Sequence, residues 1–318
     1  MYSRENFEKV KDEITNRRLA ARAEADRRNE EVRELSPEIE AIDAELTKTG
    51  VLIFRTACAG GDIEAVKKRN QELMAKRRRL VVSLGYPEDY TDVHYVCPEC
   101  SDTGYVNDGT RMCNCFREGL IRETCLSSGM GNLIDKQTFD NFSLDRFKND
   151  PESYKHMSAV LKEAKKFVAA FQKKRESLLL VGKSGTGKTH ISSAIAREVI
   201  NLGYDVVYDT IQNIVDDFEA DRFHSGYSTQ AERKGDKYLE CDLLIIDDLG
   251  TEFKTQYSLS VLYNLLATRY NKNLATILST NLDTKELSAF YEGRICSRLL
   301  GKETRVLMFI GSDARIYG

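Results

Sequence analysis

The sequence predicts an α/β domain with a parallel sheet flanked by helices, preceded by an α-helical hairpin and a small cysteine-bearing knuckle. Three observations predict it. Residues 177–318 alternate apolar runs with helical patterns, as strands covered by helices on both faces do. Residues 1–84 contain one proline, Pro37, and are dense in Arg, Lys and Glu, with apolar residues at helical spacing. Residues 85–136 break that texture with Gly85, Pro87, Pro98, Gly104, Gly109 and four crowded cysteines.

In the first segment Ile63, Val66, Asn70, Leu73, Arg77, Leu80 and Leu84 follow a 3-4-3-4 spacing, and five of the seven are apolar. That suits a helix packing on another helix. Phe7, Val10, Ile14, Arg17 and Ala21 repeat the spacing more weakly. Ser36-Pro37 reads as an N-cap followed by a first helical residue. Gly60-Gly61-Asp62 reads as a second break and cap. Residues 1–84 are thus two or three antiparallel helices, either a structural coiled coil or a docking arm for a partner. The basic run Lys76-Arg77-Arg78-Arg79 reads first as a solvated helix face.

Residues 85–136 carry Cys97-Pro98-Glu99-Cys100 and, twelve residues on, Cys113-Asn114-Cys115. Thiolates at these spacings can converge on one tetrahedral ion, and Zn²⁺ is the preferred reading, making this a zinc-binding knuckle. An iron–sulfur cluster is the alternative. His94 is a spare donor. A bound ion would staple a segment too small to build its own core.

Residues 137–176 read as a connector and an amphipathic helix near 152–174. The core then opens with the apolar strand 177–181, which runs into Gly182-Lys183-Ser184-Gly185-Thr186-Gly187-Lys188-Thr189 and a helix. This is G-x-x-x-x-G-K-[ST] in a strand–loop–helix setting. Inward-facing amides and the helix N-terminus favour phosphate. Lys188 is expected on the β- and γ-phosphates of ATP, and Thr189 on Mg²⁺. Leu243–Ile246 then form a strand ending in Asp247-Asp248. Asp247 fits a Mg²⁺ partner, and Asp248 the group that orients or deprotonates the attacking water. A third strand, residues 275–281, ends in Asn281, which can hydrogen-bond the γ-phosphate or that water, or else cap the strand end. Arg294 and Arg298 share a helix face beyond these strands, where a neighbouring subunit's phosphate could be met.

The bulk numbers bound the rest. The chain has 318 residues, room for two or three domains, and a net charge of -3 excludes a uniformly basic nucleic-acid coat. No apolar run approaches the roughly 18–20 residues of a membrane helix, and the polar start lacks a signal-peptide core. The expected compartment is the cytoplasm, with no membrane partner. Its reducing conditions favour metal over disulfides for the crowded cysteines.

Together Gly182–Thr189, residues 246–250, Ser279-Thr280-Asn281 and Ser297-Arg298-Leu299 resemble the AAA+ ATPases of the DnaC/DnaI helicase-loader type, relatives of the IstB-like ATP-binding proteins. The resemblance covers residues 137–318. The segment 97–105 with Cys113-Asn114-Cys115 resembles the zinc-bearing N-terminal region of DnaI-like loaders. The resemblance implies that Lys188 and Thr189 are the Walker A pair, Asp247 the Walker B acid and Asn281 sensor 1. It makes Arg298 the arginine finger, with Arg294 beside it. Asp248 takes the place usually held by Glu, one methylene longer, which implies slow, regulated hydrolysis. After a last strand near residues 305–310 only eight residues remain, which implies a lidless AAA+ core. The resemblance also implies docking of residues 1–84 on the hexameric replicative helicase, binding of single-stranded DNA and self-association on ATP. A transposition helper ATPase and a nucleotide-sensing adaptor without turnover are the rival readings. For the DNA surface the residues offer Phe218, Arg222 and Phe223, which could equally pack an amphipathic helix into the core.

Overall fold

The computed structural model describes residues 2–131, 133–224, 233–291 and 293–311. They form two compact units, Lys9–Arg117, and Met1–Glu8 with Glu118–Gly318.

The Lys9–Arg117 unit holds nearly all of helix α1 (Arg4–Leu35), and α2 (Pro37–Cys58) and α3 (Glu64–Ser83). Pro37 opens α2 after Ser36, although the Ser36 hydroxyl makes no cap bond. The Asp62 carboxylate accepts the Glu64 N–H at 2.9 Å just ahead of α3, whose N-cap position is Ile63. The two polar positions in the helical stripe also have a physical account. Asn70 donates to the Thr49 hydroxyl at 2.8 Å. Arg77 donates to Asp43 and Asn29, each at 2.6 Å, and to Thr91 at 2.8 Å. Both face inward and bond α3 to its neighbours, and polar pairs at packing positions fix register. Val32, Ile39 and Val81 form the apolar cluster beside them. The strands β1 (Tyr105–Val106) and β2 (Arg111–Met112) pair antiparallel, and α4 (Asn114–Ser127) follows.

The larger unit continues with α5 (Leu133–Lys136) and α6 (Pro151–Ala170). Asp150 caps α6 by accepting the Glu152 and Ser153 N–H groups. Then come β3 (Ser177–Val181), α7 (Lys188–Asn201), β4 (Val206–Thr210), α8 (Ile211–His224), α9 (Asp236–Glu240), β5 (Leu243–Leu249), α10 (Gln256–Asn271), β6 (Ala275–Thr280), α11 (Thr284–Phe290), α12 (Gly293–Leu299) and β7 (Thr304–Met308). The sheet order is β4-β5-β6-β3-β7 with every pairing parallel. Side chains alternate across it, since a strand has period two. Leu178 and Leu180 join the apolar layer that holds Met157, Phe167, Ile191 and Ile195 of α6 and α7. Leu179 and Val181 join the layer of Ile214, Leu262, Leu265 and Ile295 from α8, α10 and α12. Arg269 of α10 is fully buried and donates to the carbonyls of Tyr238, Cys241 and Ala275 and to the Thr276 hydroxyl.

Strand order positions the site. The first strand of the sheet, β3, lies between β6 and β7, so the carboxyl ends of β3, β6 and β5 stand side by side. In open parallel sheets this switch point is where ligands bind.

Candidate functional site

The loop after β3 enters α7 through Gly187, whose φ of 103° is a left-handed conformation that glycine takes without steric cost. Lys188 begins the helix and is buried. Its ammonium donates to the carbonyls of Gly182 at 2.6 Å and Lys183 at 2.9 Å, and to Asn281 Oδ1 at 2.8 Å. The lysine and the residue after β6 therefore meet directly, 93 positions apart in sequence.

Asp247 is buried at the end of β5. Thr189 Oγ1 donates to its Oδ2 at 3.2 Å. The Tyr208 hydroxyl donates to the same oxygen. Ser279 Oγ and, at 3.1 Å, the Asp248 N–H donate to Oδ1. Burial and the adjacent Asp247 charge push the Tyr208 phenol well above its ordinary range, so it stays a donor. The β5–β6 register shifts between Ile246 and Leu249, and Asp248 has φ 54°. This bulge turns Asp248 outward while Asp247 stays buried. Bulges beside active sites re-aim side chains in this way.

Ser184, Gly185, Lys188, Thr189, Asp248 and Asn281 line one cavity of about 320 Å³. Four further wall residues, Gln137, Phe142, Ser143 and His190, were not singled out by sequence reasoning. His190 lies edge-on to Phe142 at 5.2 Å and meets the Thr138 carbonyl at 2.9 Å, tying the connector to α7. Among the described residues, Gln137 Oε1 is buried without a hydrogen-bond partner. That orphan acceptor, the turned-in loop and the Thr189–Asp247 pair are what a nucleotide with Mg²⁺ requires: an acceptor for a base, amides and an ammonium for phosphates, and two oxygen donors for the ion. Tyr208, and the contact of Ser279 with Asp247, also escaped sequence reasoning. Their polar ends on apolar strands were the only hint, since strand order decides which acid they reach.

Arg298 and Arg294 do not line this cavity. Arg294 is exposed on α12. The Arg298 guanidinium lies 5.0 Å from the Tyr263 ring and 5.9 Å from the Tyr270 ring, and donates to the Tyr263 hydroxyl at 3.4 Å. It borders a second cavity with Ser177 and Thr304, at the amino ends of β3 and β7. The structure thus places Ser184, Gly185, Gly187, Lys188, Thr189, Asp248 and Asn281 on one cavity wall, ties Gly182, Lys183 and Asp247 to it by hydrogen bonds, and leaves the two arginines elsewhere. Phe218 is half-buried against Tyr238, ring centroids 6.1 Å apart, so it packs the core. Phe223 is 75% exposed, and Arg222 lies over the Tyr257 ring at 5.6 Å.

In the Lys9–Arg117 unit the four sulfurs of Cys97, Cys100, Cys113 and Cys115 all lie within 4.8 Å of one another. Cys97 and Cys113 are 3.8 Å apart, Cys100 and Cys115 3.5 Å. Zn–S bonds of about 2.3 Å in a tetrahedron place sulfurs roughly 3.8 Å apart. The set therefore fits one tetrahedral ion. The buried Asp102 carboxylate accepts the Val96 and Cys97 N–H groups at 2.9 Å each and Arg17 at 2.6 Å, which fixes the turn that presents the first cysteine. His94 stays out of the group: its Nε2 meets the Asp89 carbonyl at 3.0 Å, so it does not serve as a spare donor. Among the described residues no helix is long and apolar enough to cross a membrane.

Comparison with known proteins agrees with this geometry. Residues 144–301 match the family model described as IstB-like ATP binding protein. The replicative helicase loader DnaC of Escherichia coli K12 is 26% identical over 179 residues, 56% of this chain and 69% of that protein. DnaC of Buchnera aphidicola subsp. Baizongia pistaciae is also 26% identical, over 54% of this chain and 66% of its own length, so the match spans about two thirds of that relative. The phage-like element PBSX protein XkdC of Bacillus subtilis is 27% identical over 68% of this chain and 82% of its own. A crystal structure of the DnaC helicase loader aligns with TM-score 0.47 and 19% identity, covering 56% of this chain and 98% of that one. Over residues 144–301, then, the chain is similar to the IstB-like ATP-binding family, and over a little more than half its length to replicative helicase loaders named DnaC.

Proposed function

We propose that this chain is an ATPase that loads a replicative helicase onto single-stranded DNA, switching with the nucleotide at Lys188. The observation that carries the reading is the convergence of Lys188, Thr189, Asp248 and Asn281 on one cavity, with Asp247 bonded to Thr189 behind its wall, in a chain whose relatives are named helicase loaders. The loop 182–187 and Lys188 hold the phosphates, and Gln137 takes the base. Thr189 and Asp247 hold Mg²⁺, which supplies charge neutralisation at the phosphates when bound. Asp248, on its outward bulge, orients or deprotonates the attacking water. Its short side chain suits slow hydrolysis, better for a switch than a motor. Asn281, already bonded to Lys188, senses the γ-phosphate. Arg298 points away from its own cavity, which suits service to a neighbouring subunit, with Arg294 beside it. The exposed Phe223 with Arg222 offers a base-stacking and phosphate surface for the strand. The cysteines hold a structural Zn²⁺, and the α1–α3 helices dock on the helicase in the cytoplasm.

Affinity capture with ATP and with ADP tests this. A hexameric helicase should be retained preferentially in one nucleotide state, and Lys188→Ala should abolish the difference. The rival reading is a transposition helper, and capture of a transposase in place of a helicase would establish it. A chain that neither captures a helicase nor changes helicase loading on single-stranded DNA is not a loader.

A further inference from the structure

The magnesium acid of the proposed site is held from a strand that carries no part of the phosphate loop. Tyr208 lies on β4, an edge strand, in register with Ile245, while Thr210 is in register with Asp247. By the period of two, Tyr208, Ile245 and Asp247 share one face. The Tyr208 ring rests on the apolar layer beneath α7, and its hydroxyl reaches Asp247 Oδ2.

The backbone at Tyr208 is fixed from both sides. One side pairs with β5. On the other, the Tyr208 N–H donates to the Ser128 carbonyl at 2.7 Å. The next residue, Gly129, has φ 83°, and a Cβ there would fall 2.4 Å from the Tyr208 carbonyl oxygen. The segment 128–129 can lie this close only with glycine. The phenol is therefore presented from a rigid frame.

The recipient needs such a frame. The χ2 torsion of an aspartate is broad, so carboxylate orientation comes from hydrogen bonds and not from rotamer preference. An ionised carboxylate has about four acceptor positions. Here four donors address them: Ser279 Oγ and the Asp248 N–H on Oδ1, Tyr208 and Thr189 on Oδ2. Thr189 and Asp248 are themselves parts of the nucleotide machinery. Tyr208 and Ser279 stand one on each oxygen with no other assigned task.

We infer that Tyr208 is a positioning residue, which with Ser279 clamps the Asp247 carboxylate in the orientation that receives the nucleotide-bound Mg²⁺. The inference rests on the ATP reading of the site. Loss of an outer-shell partner of a metal ligand typically lowers metal affinity by about 10–100-fold.

The test uses the full chain, a fluorescent ATP analogue and Mn²⁺ followed by electron paramagnetic resonance. Tyr208→Phe keeps the ring and removes the donor. Its analogue affinity in EDTA should stay within about twofold of wild type. The Mn²⁺ concentration for half-saturation of the nucleotide-bound protein should rise about tenfold or more. Ser279→Ala should move the same midpoint in the same direction, and serves should the phenylalanine variant fail to fold. A wild-type protein that binds no metal–nucleotide complex refutes the ATP reading itself. A wild type that binds, with both variants keeping its Mn²⁺ midpoint, overturns the clamp alone. Equal losses with and without metal overturn it too, because the hydroxyls would then be holding the fold.

Discussion

Removing the ion from the cysteine knuckle should unfold that segment while leaving the sheet intact. The structure explains the magnitude. The knuckle's only regular pairing is the two-residue strands β1 and β2. Its core is Cys100, Cys113 and Phe116, the last set edge-on to Tyr105 at 5.6 Å. Burying one such aromatic contributes about 3 kcal/mol. A structural Zn²⁺ on four thiolates contributes about 10–16 kcal/mol. The ion therefore dominates, and Cys113→Ala, which removes a 1%-exposed ligand, should be decisive. Zinc per chain, measured by inductively coupled plasma mass spectrometry, should fall from about one to below about 0.1. Trypsin cleavage at Arg111 and Arg117, which flank the second cysteine pair, should rise at least about tenfold as the segment opens. Wild-type protein from zinc-supplemented cells that carries no metal, or whose cleavage pattern is unchanged by a strong chelator, would refute the reasoning.

Two further predictions concern the fold. Arg269→Met leaves the Tyr238, Cys241 and Ala275 carbonyls without their donor. At about 1–3 kcal/mol for a buried unsatisfied group, urea denaturation should show a loss of roughly 3 kcal/mol or more, and a loss below about 1 kcal/mol would contradict the role. Burial, and then the nearby Asp242 charge, push Asp205 up to about 6. A carboxyl raised on folding favours the folded state below its unfolded value near 3.8, and that advantage is lost as pH rises through about 6. Asp205→Asn should therefore raise the melting temperature at pH 8 but not at pH 4. The gain is at most about 3 kcal/mol, from roughly two units at 1.36 kcal/mol each. Equal effects at both pH values would contradict the assignment.

The sequence made some of this legible and hid the rest for physical reasons. The phosphate loop and the Asp-Asp strand end are local patterns whose chemistry depends on neighbours in the chain, so they could be read directly. The cysteine spacing likewise encodes its own convergence. Asn70 and Arg77 broke the apolar stripe of α3, and only the helices packed on it show that their partners are Thr49, Asp43 and Asn29. Tyr208 stands in no local motif, and Ser279 stands in one only as a neighbour of Asn281; strand order and register are what bring both to Asp247. His94 was a plausible ligand by proximity in sequence, but it turns to the Asp89 carbonyl instead.

The most direct test of the central claim is equilibrium binding of labelled ATP to the full chain, with and without Mg²⁺, beside Lys188→Ala and Asp247→Asn. The account predicts saturable uptake by the wild type and loss of binding when the ammonium is removed. For Asp247→Asn it predicts a defect confined to the metal-dependent part. Absence of saturable uptake by the wild type, or identical isotherms for all three proteins, would contradict it.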